Sequence, residues 1–201
     1  MSNTSRRNFL QKAGLAAASF YIVPRHVLGK GYTAPSDKLN IMGVGGGGKG
    51  YSDIMNSYNK GAENIVAIVD VDDRQIVRIK KDLPKANYYR DFRAALDKEG
   101  SNVDAVIVST PDHTHATIAM EAMRRKKHVY VQKPLTHDIY EARLLGEKAR
   151  EMQVVTQMGN QGSSGDGVRQ MMEWFDGGAI GKVKEVYVWT NRPVWPQGIA
   201  Y

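Results

Sequence analysis

Cysteine is absent from the 201-residue chain. That excludes disulfides, thiolate metal sites and cysteine nucleophiles, and it fits a reducing or an oxidising compartment equally. Acidic residues are missing from the first 36 positions, where Arg6, Arg7, Lys12, Arg25 and Lys30 carry +5. The rest of the chain therefore holds only +2 of the formal +7, too little for the electrostatic footprint of a nucleic-acid binder. Arg124-Arg125-Lys126-Lys127 reads as a solvated helix end rather than a phosphate-binding patch. The one apolar run near the start, Ala13 to Val23, is short for a membrane span and diluted by Gly and Ser. Internal repeats and low-complexity tracts are also missing.

What is present is ordinary globular composition, 42% apolar and 24% charged. The length suits one domain and the beginning of a second. Ser5-Arg6-Arg7-Asn8-Phe9-Leu10-Gln11-Lys12 precedes the apolar run, which is the layout of a secretory signal. The adjacent arginines followed by x-Phe-Leu-x-Lys resemble a twin-arginine export signal. The alternative is a basic amphipathic helix that stays on the protein. Residues 1–34 are thus expected to be signal and linker, with a periplasmic destination. Cleavage between about 18 and 34 and retention as an inner-membrane anchor are both left open.

From Leu39 an alternation begins. Strands are expected at 39–44, 65–69, 88–89, 103–109, 128–131 and 154–158, with helices at 49–59, 72–82, 92–98, 114–125 and 138–151. Ile65-Val66-Ala67-Ile68-Val69 is a continuous apolar run of the kind buried on both faces. Such alternation predicts a parallel sheet with helices on both sides. After Gly159 the pattern changes to a helix at 168–175 and a Val/Tyr/Trp-rich strand at 182–190. One helix and one strand cannot bury a core, so 161–201 is expected to be the truncated start of an α+β second domain.

Gly43-Val44-Gly45-Gly46-Gly47-Gly48 matches G-x-G-x-x-G between an expected strand and an expected helix. In that frame Gly43 allows the turn, Gly45 admits a pyrophosphate, and Gly48 lets the helix pack closely. The helix N-terminus offers free N–H groups to phosphates. The domain over 35–160 is therefore read as an α/β, Rossmann-type doubly wound parallel sheet. Asp70 ends the second strand, where an acid accepts hydrogen bonds from ribose hydroxyls and repels a 2′-phosphate, favouring NAD over NADP. Arg74 nearby would soften that preference. Asp70 or Asp72 as an N-cap of the following helix is the structural alternative. Ligands of open α/β sheets bind outside the carboxyl ends of the strands. Here those ends carry the glycines, Asp70, Ser109-Thr110-Pro111, Gln132-Lys133-Pro134 and Gln157.

Together with His113, His115 and Gly159-Asn160-Gln161-Gly162, these motifs resemble the Gfo/Idh/MocA oxidoreductases. The resemblance runs over the chain but matches only the N-terminal half of such a protein. It implies an NAD(P)-dependent enzyme acting on a sugar, cyclitol or glycoside hydroxyl, in a homo-oligomer. A family variant is a glycosidase that oxidises, eliminates and re-reduces with a retained NAD. The resemblance also implies roles: Thr110 and Pro111 along the cofactor path, His115 near the cofactor, Lys133 at the nicotinamide and the substrate hydroxyl, and Gln157 at the nicotinamide end. The family's Glu-Lys-Pro motif reads Gln132-Lys133-Pro134 here, which keeps an acceptor and loses a charge. A lysine in a partly dry pocket is a suitable proton acceptor near neutral pH. His113, His115 and His137 lack a carboxylate at ligand spacing, so no metal site is expected, and capping by Asp112 or Thr114 is preferred there. Trp174, Trp189 and Trp195 read as core or interface residues, with Trp195 as a possible sugar platform. If the substrate half is missing, the chain is a nucleotide-binding module without catalysis.

Overall fold

The computed structural model describes residue 34 and residues 37–189. The expected export signal and Trp195 lie outside the described residues. The chain divides into two compact units, Met1–Gly159 and Asn160–Tyr201.

In the first unit the strands are β1 Asn40–Val44, β2 Asn64–Val69, β3 Asn87–Tyr89, β4 Ala105–Val108, β5 His128–Gln132 and β6 Thr156–Gly159. They form one sheet in the order β3-β2-β1-β4-β5-β6, and every pairing is parallel. The order reverses at β1, which places a crevice between the carboxyl ends of β1 and β4. The helices are α1 Gly48–Tyr58, α2 Val77–Asp82, α3 Phe92–Glu99, α4 His115–Arg124 and α5 Ile139–Met152.

The pleat sorts the strand residues onto two faces. Ile41, Ile65, Ile68 and Ile107 pack with Ile54 of α1 and Ile79 of α2. Met42, Val44, Val106, Val108, Val129 and Val131 pack with Leu96 of α3, Ile118 and Ala122 of α4 and Leu145 of α5. Burial of each large aliphatic contributes about 1.5–3 kcal/mol, and Met42, Ile54, Ile68 and Ile79 are fully buried. The same parity puts Gly43, Ser109, Tyr130 and Gln132 on the α1 face.

Several expected boundaries move for identifiable reasons. The helix expected from 72 begins only at Val77. Asp70 Oδ1 accepts the Asp72 N–H at 3.0 Å and Asp72 Oδ1 accepts the Arg74 N–H at 2.9 Å. Two successive Asx turns thus take amides that a helix start needs, and neither aspartate caps α2. Capping of α4 by Asp112 or Thr114 is not found; the Thr114 hydroxyl donates back to Pro111 O at 2.8 Å instead. Asp138 does cap α5, accepting the Glu141 N–H at 2.8 Å, while Glu141 accepts from the His137 N–H at 3.0 Å.

The second unit contains α6 Gln161–Ser164 and α7 Asp166–Asp176. The expected strand at 182–190 is not formed over residues 182–189. β-propensity becomes a strand only where a neighbouring strand supplies the ladder, and the described residues supply none here. Trp174 and Trp189 are exposed rather than in a core.

Candidate cofactor-binding site

The glycine loop corrects the register read from sequence. Gly43 sits inside β1 rather than in the turn, and a Cβ there would fall 2.3 Å from Ile54 Cδ1. Its bare face is what lets α1 lie on the sheet. Gly45 makes the turn, with φ +89° and a would-be Cβ 2.5 Å from Ser109 O. Gly48, expected to permit close packing, has φ +48° and no atom within 4 Å of a Cβ position. That role belongs to Gly50, where a Cβ would fall 1.9 Å from Gly45 O. The fingerprint therefore runs Gly45-x-Gly47-x-x-Gly50. A tract of six glycines in eight positions satisfies both registers as text, and only the packing separates them.

The N-terminus of α1 has Gly47 as N-cap, no side-chain cap and no acid in its first turn. With no side-chain cap among the described residues, its leading N–H groups and the positive end of its dipole suit an anion. The Gly46 N–H is the exception: it donates to Asp70 Oδ2 at 2.9 Å. Asp70 thus buttresses the loop, yet each carboxylate oxygen has two lone pairs, leaving capacity for ribose hydroxyls.

These elements border a cleft of about 900 Å³ lined by Gly45, Gly47, Gly48, Asp70, Ser109, Thr110, Pro111 and His113. Arg74 is held away from it. Its Nε donates to both Asp72 oxygens at 2.9 and 3.1 Å, and Nη2 donates to Oδ2 at 2.8 Å. This guanidinium holds the Asp72 carboxyl down to about 2, below its ordinary 3.8. Arg90, Phe92, Arg93 and Gln75 also line the cleft, and the sequence reading misses them. The signal was available: Arg90 follows β3, the one strand end left unread. Arg90 pairs with Asp73 across that end.

The remaining expected residues separate. The Ser109 hydroxyl donates to Asp53 Oδ2 at 2.9 Å, and the Thr110 hydroxyl donates to Thr114 Oγ1 at 2.8 Å, the Thr114 proton being used on Pro111 O. His115 is fully buried, not a cleft residue. Its ring nitrogens lie 2.6 Å from Pro134 O and 2.8 Å from Thr110 O, so it ties the loops after β4 and β5 together. Gln132 is 5% exposed and its amide turns inward to Asp53 at 2.8 Å. It shapes the site from beneath rather than facing a ligand. Lys133 is exposed at the end of β5, before a cis Lys133–Pro134 bond, and does not line the cleft. Gln157 lies within β6 beside Tyr130, with its Nε2 on Met158 O at 2.8 Å. The strand runs on to Gly159, so Gln157 is neither a strand end nor a cleft residue. The described cleft has the groups that the adenosine and phosphate half of a dinucleotide would need. Gly45, Gly47, the α1 amides and Asp70 fit such a ligand.

Residues 38–160 match the GFO_IDH_MocA family, described as an oxidoreductase family with an NAD-binding Rossmann fold. A glycosyl hydrolase family 109 protein from Shewanella baltica is 31% identical over 166 residues, covering 70% of this chain and 36% of that protein. Myo-inositol 2-dehydrogenase from Thermotoga maritima is 26% identical over 132 residues, covering 66% and 39%. The crystal structure of myo-inositol 2-dehydrogenase from Lactobacillus plantarum superposes with a TM-score of 0.65 at 25% identity, covering 73% of this chain and 43% of that one. The chain thus spans well under half the length of these relatives.

Proposed function

Since this chain belongs to the NAD-binding, Rossmann-fold GFO_IDH_MocA oxidoreductases, we propose that it is the cofactor-holding part of an enzyme that oxidises a hydroxyl of a sugar, cyclitol or glycoside. The observation that carries this reading is the joining of Asp70 to the uncapped start of α1 at one cleft, through the Gly46 N–H. NAD, when bound, supplies the hydride acceptor. Asp70 holds the ribose hydroxyls and the α1 amides hold the pyrophosphate. Lys133 takes the hydroxyl proton. NAD is preferred to NADP because Asp70 repels a 2′-phosphate and Asp72 occupies the guanidinium of Arg74.

The reading extends to the rest of the chain. Residues 1–34 direct twin-arginine export to the periplasm, 35–160 form the cofactor domain, and 161–201 begin a substrate and oligomerisation domain. The similarity to a glycosyl hydrolase family 109 protein favours a second reading, glycoside cleavage by transient oxidation. Turnover that releases reduced cofactor supports the dehydrogenase, and turnover without release supports the glycosidase.

The test is NAD titration of the purified chain. Ligand at a hundredfold over Kd stabilises a folded state by about 2.7 kcal/mol, so Tm should climb with concentration. A flat Tm up to millimolar NAD sinks the cofactor assignment. In an active enzyme carrying this segment, Lys133→Ala should abolish oxidation and spare NAD affinity.

A further inference from the structure

Asp53 is 7% exposed and lies one turn into α1, on the face turned to the sheet. Three donors converge on its carboxylate from three elements: Lys49 Nζ on α1, Ser109 Oγ after β4 at 2.9 Å, and Gln132 Nε2 at the end of β5 at 2.8 Å. Burying a carboxylate is costly unless its lone pairs are met, and here both oxygens are engaged.

The consequence reaches the next residue along the chain. A glutamine amide has a donor end and an acceptor end. Asp53 can only accept, so it draws Nε2 inward and turns Oε1 outward. Oε1 then accepts the backbone N–H of Lys133 at 3.1 Å. The partner strand leaves room for this arrangement, since a Cβ at Gly159 would fall 2.9 Å from Gln132 Nε2. A glutamate at 132 would instead place a second carboxylate against Asp53, and like charges at that range repel. Gln132 and Asp53 are a matched pair, with the negative charge moved from the strand end into the helix.

We propose that Asp53 is a positioning residue for Lys133, acting through the assigned orientation of the Gln132 amide. It couples the phosphate-binding helix to the residue that takes the substrate proton, and in that second part rests on the function proposed above.

The test is amide hydrogen exchange at Lys133 in this chain, with NAD affinity measured alongside. Asp53→Ala should speed Lys133 exchange about tenfold, because the amide of Gln132 loses its anchor. Gln132→Glu should do the same by repulsion. The exchanged pair, Asp53→Asn with Gln132→Glu, should return Lys133 to within about threefold of the parent, since donor and acceptor are again opposed. A role confined to the stability of α1 predicts no such rescue, and absence of rescue overturns the proposal. So does unchanged Lys133 exchange in folded Asp53→Ala. Should Asp53→Ala fail to fold, the exchanged pair decides. Failure of the parent chain to bind NAD would instead count against the proposed function and leave the exchange result standing.

Discussion

Gly50→Ala is the substitution that most directly tests the corrected glycine register. The new methyl carbon would sit 1.9 Å from Gly45 O and 3.2 Å from Ser109 Cβ, whereas real Cβ contacts essentially never fall under 3.0 Å. The obstacle is backbone, so no side chain can rotate out of the way. Gly45 is itself tethered, its N–H donating to Val69 O at 2.8 Å. Helix and loop must therefore part by about 1 Å, overpacking of a kind that costs about 1–3 kcal/mol. For a chain of this length that is a Tm loss of roughly 2–12 °C. The same displacement carries the α1 amides away from the phosphates, and an ångström of misplacement can cost up to about a hundredfold in function. Scanning calorimetry and NAD titration of Gly50→Ala and Gly48→Ala should therefore split. Gly48→Ala meets open space and bears only the left-handed backbone penalty of about 1 kcal/mol. Equal effects of the two, or a Gly50→Ala protein with parental Tm and affinity, would refute the register drawn from the packing.

Asp72→Ser should release Arg74 and raise NADP affinity relative to NAD by several-fold, read from paired titrations; an unchanged ratio would mean that Arg74 does not reach the ribose. The Asp72 carboxyl should titrate near 2 by NMR, moving toward 3.8 in Arg74→Gln. Its folded value is depressed, so the contribution of the pair is complete above the ordinary value and is lost as pH falls through about 2. His115→Phe should cost about 1–3 kcal/mol in chemical denaturation, because the buried imidazole that bridges the Thr110 and Pro134 carbonyls is lost.

Which parts were legible from sequence follows the range of the interactions. Buried strands such as Ile65–Val69 declare themselves by composition, and the strand–helix alternation yields the parallel sheet and its binding edge. The place of Asp70 at the cleft is legible because it follows from the end of the second strand after the motif. Asp53 is not, since in sequence it is one polar position on a helix, and its partners Ser109 and Gln132 lie 56 and 79 residues away. His115 is hidden in the same way: its place at a helix start after a strand is legible, and its burial between the two loops it joins is not. The Asx turns at Asp70 and Asp72 are local, but they compete with an equally local helix signal. Only the observed hydrogen bonds show which prevails.

The central place of β1 has a consequence during synthesis. One edge of β1 pairs with β2, beginning at Asn40 and Asn64, so it can close early. Its other edge waits for β4, whose Ala105 partners Ile41. At ribosomal rates of about 5–20 residues per second, the edge stays open for some seconds after β2 has emerged. Through that interval the nascent chain presents an apolar strand with unpaired amides, the template on which strands of other chains add. A strand paired on both edges in the finished sheet is thus open on one edge during its making, and slower elongation between residues 69 and 105 should increase co-translational aggregation.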